Sequence, residues 1–320
     1  MTRSAWLLIG VALLMAALAS LILPATGLAD LFRRDQALLW AILIEVRLPR
    51  MVLALLYGAM LGGSGAAIQA LFANPLASPD ITGTTAGAAL GSVVMAYLLG
   101  LASPVGLAVG GVAGAALALL ILLGLAGRNS DSATLLLAGV AISAVAGAAT
   151  ALALAPSPFA FYEAYDWMMG SLVDRSLPQA GFVAGPVVVA LVMLARKAPA
   201  LDALALGEET AAAMGHSIVA LRRQVVIATT IGVGMAVAVC GAVGFIGLVA
   251  PIFARALTRG HPGRAVLPAA AIGATLLCLA DLLVRFSPAG RQLPIGVVTA
   301  LLGAPFFLAL VLRMRLEWRA

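Results

Sequence analysis

Apolar residues in this sequence come in unbroken runs of about twenty, rather than at alternate positions or along one helix face. Such a run is what an α-helix needs to cross about 30 Å of hydrocarbon, at about 1.5 Å per residue. Runs of this kind lie at about 6–28, 51–73, 81–101, 104–126, 133–155 and 180–195. A further stretch, 224–257, is too long for one crossing. Gly241, Gly244 and Pro251 within it predict a break near 241–244 into two shortish helices. Spans at about 266–285 and 293–312 bring the predicted total to ten. The first run has Arg3 ahead of it and small residues at its end, the outline of a secretory signal. Cleavable cores are shorter, about 7–15 residues, so the run is read as a retained first helix.

Composition agrees with the pattern. The 320 residues are 63% hydrophobic and 10% charged, with a mean hydropathy of +1.12. A soluble domain carries about 25% charged residues, and so few charges cannot cover a water-facing surface. The whole chain, 1–320, is therefore read as one all-α polytopic transmembrane domain. Disorder, a disulfide-stapled secreted fold and nucleic-acid binding are excluded on the same grounds. The net charge of +6 comes from basic residues placed mostly between the apolar runs, which sets orientation instead. With ten spans and a cytoplasmic N-terminus, twelve Arg and Lys fall inside. Seven fall outside: Arg33, Arg34, Arg47, Arg50, Arg175, Arg285 and Arg291. The balance predicts both termini in the cytoplasm, yet seven outward arginines need a separate reason.

Gly58, Gly65, Ala66 and Pro75 recur 176 residues later as Gly234, Gly241, Ala242 and Pro251. Because spans 2 and 7 run in opposite senses, this predicts an inverted repeat, a common transporter architecture. Gly65, Pro75, Gly241 and Pro251 are expected at close helix contacts, where small residues let backbones approach.

Candidate chemistry is sparse. Cys240 and Cys278 stand alone in apolar stretches and read as core residues, and two distant histidines, His216 and His261, make no metal site. There is no phosphate-cradling GxxxxGK[ST] motif, and the one lysine, Lys197, precedes Ala198-Pro199. No catalytic residue is assigned, and no cofactor is expected on this chain. Asp281 is the one acid within a predicted span, four residues before Arg285, and is read as pairing with an arginine. Between spans 6 and 7, within about 202–220, Glu208 and Glu209 follow Gly207 and open a short Ala-rich turn that Gly215 ends. With Leu206, Ala212 and Met214, it offers a small apolar docking element on the cytoplasmic face.

These residues resemble a family: the FecCD/BtuC-like permease subunits of type II ABC importers, which carry iron–siderophores, haem or cobalamin. The similarity runs through Arg47-Leu-Pro-Arg50, Gly65-x-x-x-Gln69, Asn74-Pro75-Leu76-Ala77-x-Pro79 and Gly83. It continues through Leu136-Leu-Ala-Gly-Val140, Trp167-Met168-Met169-Gly170-Ser171 and Ala205-Leu206-Gly207-Glu208. The last blocks are Gly241-Ala-Val-Gly-Phe245-Ile-Gly-Leu-Val249, Pro251, Leu293-Pro294 to Thr299, and Gly303-Ala304-Pro305. Where the family commonly has His after the span-8 proline, this chain has Ile252, while Arg255 is kept.

The resemblance implies a ten-helix type II permease paired with a second copy. It also implies two ATPase subunits, carrying ATP and Mg, docked on residues 207–215, and a periplasmic binding protein. It places glutamates of that protein opposite Arg47, Arg50 and Arg285; Arg291 is added here because it lies on the same side. Tyr162, Tyr165, Trp167, Met168 and Met169, at the outer end of span 5, suit either an interfacial belt or the outer mouth of the pathway. The expected cargo is an iron chelate, because most of the family carry one. A corrinoid is the alternative, and an ion-coupled secondary carrier a distant one.

Overall fold

A computed structural model describes residues 2–24, 32–125, 132–156, 168–287 and 293–317, and among these the regular structure is helical throughout. Helix α1 spans Arg3–Ile22, α2 Gln36–Leu71, α3 Thr84–Leu98, α4 Pro104–Leu125, α5 Ser132–Leu154 and α6 Leu177–Arg196. Two short helices follow, α7 at Ala198–Leu204 and α8 at Glu208–Ala213. The chain continues as α9 at Ile218–Cys240, α10 at Ile246–Leu257, α11 at Val266–Arg285 and α12 at Ile295–Glu317. Among the described residues, seven helices are long and apolar enough to cross a membrane, and three shorter apolar stretches, α3, α10 and Ile295–Ala309 of α12, complete the ten predicted segments.

Helix α2 differs most from the sequence expectation. It begins at Gln36, not near 51, so Arg47, Glu45 and Arg50 lie on one continuous helix. Asp35 starts it by accepting the Leu38 N–H at 3.0 Å. Pro49 then lacks an N–H and crowds the carbonyl four residues earlier. A widened π-helical turn at Ile42–Arg47 absorbs that mismatch. Further starts are also chemical: Ser217 caps α9 at Ala220 N–H, and Ser176 with Gln179 forms a capping box on α6.

Helices α2 and α9 run through the middle, with α11 beside α2 and α4 beside α9. The α2–α11 contact is backbone on backbone. An added Cβ on Gly58 would lie 2.8 Å from Ala274 Cα, and one on Gly62 2.8 Å from the Ala269 carbonyl carbon. On the other side Gly234 of α9 faces Gly111 and Val112 of α4. Gly58 and Gly234, one of the pairs 176 residues apart, therefore do matching work. The echo stops there. Gly65 lies inside α2 whereas Gly241 ends α9, and Pro75 lies in a turn whereas Pro251 lies inside α10. Gly241 is needed for its backbone: φ 71 and ψ −172 belong to a region open essentially to glycine alone.

Candidate functional site: a junction of broken helices

The predicted break near 241–244 is real. Helix α9 ends at Cys240, α10 resumes at Ile246, and three other segments converge on the gap. Non-helical backbone inside a membrane protein survives only where its polar groups find partners. Tyr57 of α2, fully buried, supplies two: its hydroxyl donates to Gly241 O at 2.9 Å and accepts from Val243 N–H at 3.1 Å. Asp80 supplies a third, its Oδ2 accepting from Phe245 N–H at 3.1 Å, where Phe245 holds φ 66. Cys240 O accepts from Ser171 N–H at 2.8 Å. Gly170 and Met169 in turn accept, through their carbonyls, from Ile295 and Gly296 N–H at 3.0 and 3.1 Å. So the start of α12 is docked on the segment after α5, and that segment on the break. Met168 lies partly buried beside Val93 and Leu154. Tyr162, Tyr165 and Trp167 lie outside the described residues.

Below the gap the motif residues explain one another. Pro251 cannot donate to Gly247 O, the carbonyl four residues earlier, so that oxygen is free of its helix bond. It faces Gly65 of α2, whose added Cβ would sit 2.7 Å from the Gly247 carbonyl carbon. One turn on, Gln69 Nε2 donates to Leu248 O at 3.3 Å, and its Oε1 accepts from Arg255 Nη2. The spacing Gly65-x-x-x-Gln69 thus matches two successive carbonyls of α10. Pro75 sits in an Asx turn in which Asn74 Oδ1 accepts the Leu76 N–H at 2.9 Å.

Three of the arginines read as outward-facing, Arg47, Arg50 and Arg285, are engaged internally. Arg50 Nε lies 2.6 Å from Asp281 Oδ1, and Arg285 Nη2 lies 2.6 Å from Oδ2. Arg285 Nη1 also donates to Ser20 O at 2.5 Å. Arg47 donates to Leu21 O and Pro24 O, both at 2.8 Å. The expected pairing of Asp281 with an arginine is present twice over. Arg291 lies outside the described residues.

On the opposite side, Leu206, Gly207, Glu208, Glu209, Ala212, Met214 and Gly215 are all exposed, while Ala211 is buried beneath them. Gly207 (φ 105) and Gly215 (φ 86) bracket α8, each at a backbone angle that favours glycine. Leu206 and Met214 present large apolar side chains, 66% and 57% exposed. Glu208 is not free, because Arg222 of α9 pairs with it and ties α8 down; Glu209 has no such partner among the described ion pairs.

The sequence reading passed over Tyr57 and Asp80, and met Phe245 only as a member of a motif block. Tyr57 carried a usable signal: a phenol deep in an apolar run must find a hydrogen-bond partner. Asp80 and Phe245 carried none, since 165 residues separate them.

Helices of spanning length around an interior junction of non-helical segments define a multi-pass membrane transport protein. Residues 6–313 match the FecCD transport family, and the chain belongs to it. It is a permease subunit of an ABC importer. The vitamin B12 import system permease protein BtuC of Citrobacter koseri is 40% identical over 286 residues, covering 88% of this chain and 85% of that one. Its namesake from Salmonella typhi is 40% identical over 316 residues, covering 96% and 95%. Among solved structures, a metal-chelate type ABC transporter in an inward-facing conformation is 28% identical, with a TM-score of 0.81 over 95% of this chain and 97% of that one. PsaBC from Streptococcus pneumoniae, solved with a Fab, shares the fold at 17% identity and a TM-score of 0.58, covering 89% and 94%.

Proposed function

We propose that this permease carries a corrinoid of the vitamin B12 class. The observation behind this is 40% identity, sustained over nearly the whole chain, to permeases named for vitamin B12 import. That reverses the order read from the sequence, where an iron chelate led on the commonness of such cargo alone; an iron–siderophore or haem becomes the second reading. The subunit works in an inner membrane with both termini cytoplasmic, beside a second copy of itself. Two ATPase subunits, which hold the ATP and Mg, dock on the 206–215 platform, and a periplasmic binding protein docks on the face bearing Arg47, Arg50, Arg285 and Arg291. The test is uptake of labelled cyanocobalamin, a ferric siderophore and haemin by cells whose only such importer contains this chain. Cyanocobalamin uptake that needs the chain and the ATPase is expected. Uptake of an iron compound alone would overturn the assignment, and uptake by the purified chain on an ion gradient would return the secondary carrier.

The exposed Leu206 and Met214 support the platform reading, because anchors of an interface are large apolar groups seated in a partner's groove. Leu206→Glu with Met214→Glu should cut ATPase association at least about tenfold, as each places a charge in a dry contact. Glu209→Ala should matter far less. Glu208→Ala acts chiefly by freeing Arg222. Co-purification of ATPase with each variant is the measurement, and undiminished association in the double variant would count against the platform.

A further inference from the structure

Three arginines gather around one carboxylate where α1, α2 and α11 meet, and the arrangement is asymmetric. Asp281 is fully buried and shared by Arg50 and Arg285. Only 14% of the Arg50 side chain and 8% of the Arg285 side chain reach the surface. With Arg47 alongside, bonded to the end of α1, the cluster holds three positive charges against one negative, a net of +2. Arg285 Nε is buried with no acceptor among the described residues. The cluster therefore carries more positive charge than its one carboxylate balances, and Asp281 Oδ2, although 2.6 Å from Arg285 Nη2, is itself left without an aligned hydrogen bond.

We propose that Asp281 is the internal counter-ion of a docking switch, holding Arg50 and Arg285 inside the permease until acidic groups of the binding protein draw one of them out. This rests on the docking face proposed above and adds how that face is held when unoccupied. An arginine 8% exposed cannot meet a partner's carboxylate while it stays on Asp281. If Asp281 had a single arginine, its departure would strand a buried carboxylate, a severe penalty. Two arginines remove that obstacle, since one remains while the other exchanges one carboxylate for another. The exchange also reaches α1. Arg285 holds Ser20 through both O and Oγ, at 2.5 and 3.1 Å, so its departure loosens the end of α1 while the Arg47 bonds to Leu21 and Pro24 remain. Docking is thereby reported at the α1–α11 contact.

The experiment is a binding titration of the assembled transporter in nanodiscs with its cognate binding protein across a salt series. Asp281→Asn keeps the size of the side chain, removes the competing charge and raises the cluster to +3. It should tighten docking by up to about tenfold and steepen the dependence on salt. A residue that merely supported the fold would not improve docking when altered. Arg47→Glu, a change at the arginine that does not touch Asp281, reports on the docking face by itself. No effect of Arg47→Glu overturns the face and the switch together. Weakened docking by Arg47→Glu with unchanged or weakened docking by Asp281→Asn overturns the switch and leaves the face standing. A second measurement needs no change at Asp281: spin labels on Ile22→Cys and Leu283→Cys, both exposed, while the native Cys240 and Cys278 are buried. The α1–α11 distance distribution should broaden or lengthen when the binding protein is added, and an unchanged distribution overturns the switch.

Discussion

Gly65→Leu is expected to abolish transport and to leave little folded permease in the membrane. Position 65 is the point where α2 lies against the carbonyl that Pro251 frees from the α10 ladder, so the neighbour is backbone on both sides. A leucine there cannot be relieved by turning a flexible side chain, and overpacking a close contact costs about 1–3 kcal/mol even where side chains can yield. Forcing α10 off α2 also pulls Leu248 O away from Gln69 and leaves Arg255 without its amide partner. Gly10→Leu on α1 is the matched control, since nothing lies within 4 Å of an added Cβ at that position. Membrane level, detergent-resistant folding and uptake should all fall for the first and hold for the second. Equal behaviour of the two would remove close approach as the reason for Gly65.

Tyr57→Phe should loosen the α9–α10 break without disturbing packing, because the ring is kept and only the hydroxyl is lost. The buried Gly241 carbonyl and Val243 N–H then lose a partner together, and each unsatisfied buried group costs about 1–3 kcal/mol. Cys240, the residue at the break, and Cys278 on α11 are both buried free thiols and serve as native reporters. Thiol labelling during gentle warming, read by mass spectrometry, should quicken at Cys240 more than at Cys278. Equal acceleration at both would mean global loosening and deny Tyr57 a local role.

Much of the architecture was legible because lipid imposes a coarse rule, an apolar run of fixed length. Gly241, Gly244 and Pro251 marked the break between α9 and α10 for a local reason, the weakness of glycine and proline inside helices. The early start of α2 was hidden because Asp35, Glu45, Arg47 and Arg50 dilute the apolar signal over a stretch that a cap and a π-helical turn nonetheless keep helical. Asp281 and Arg285 announced themselves by their four-residue spacing, whereas Arg50 joins them from 231 residues away, which only tertiary packing reveals. Gln69 and Arg255 were visible as motif members but not as partners, for the same reason. The Glu208–Arg222 pair was not legible, because Arg222 lies on the next helix, across a turn whose path the sequence leaves open.

The glycine contact between α2 and α11 has a mechanical consequence. Where side chains separate two helices, rotamer changes provide slack, and one helix can slide a little before the other responds. Here Gly58, Gly62 and Gly273 bring carbonyls against neighbouring backbone, and no side chain lies between to act as a bearing. Helices α2 and α11 therefore behave as one lever arm, transmitting displacement from Arg50 and Arg285 at one end toward Gln69 at the other with almost no backlash. Compliance in the subunit is left to helices gripped less firmly, such as α5, which leans mainly on α3 and α4.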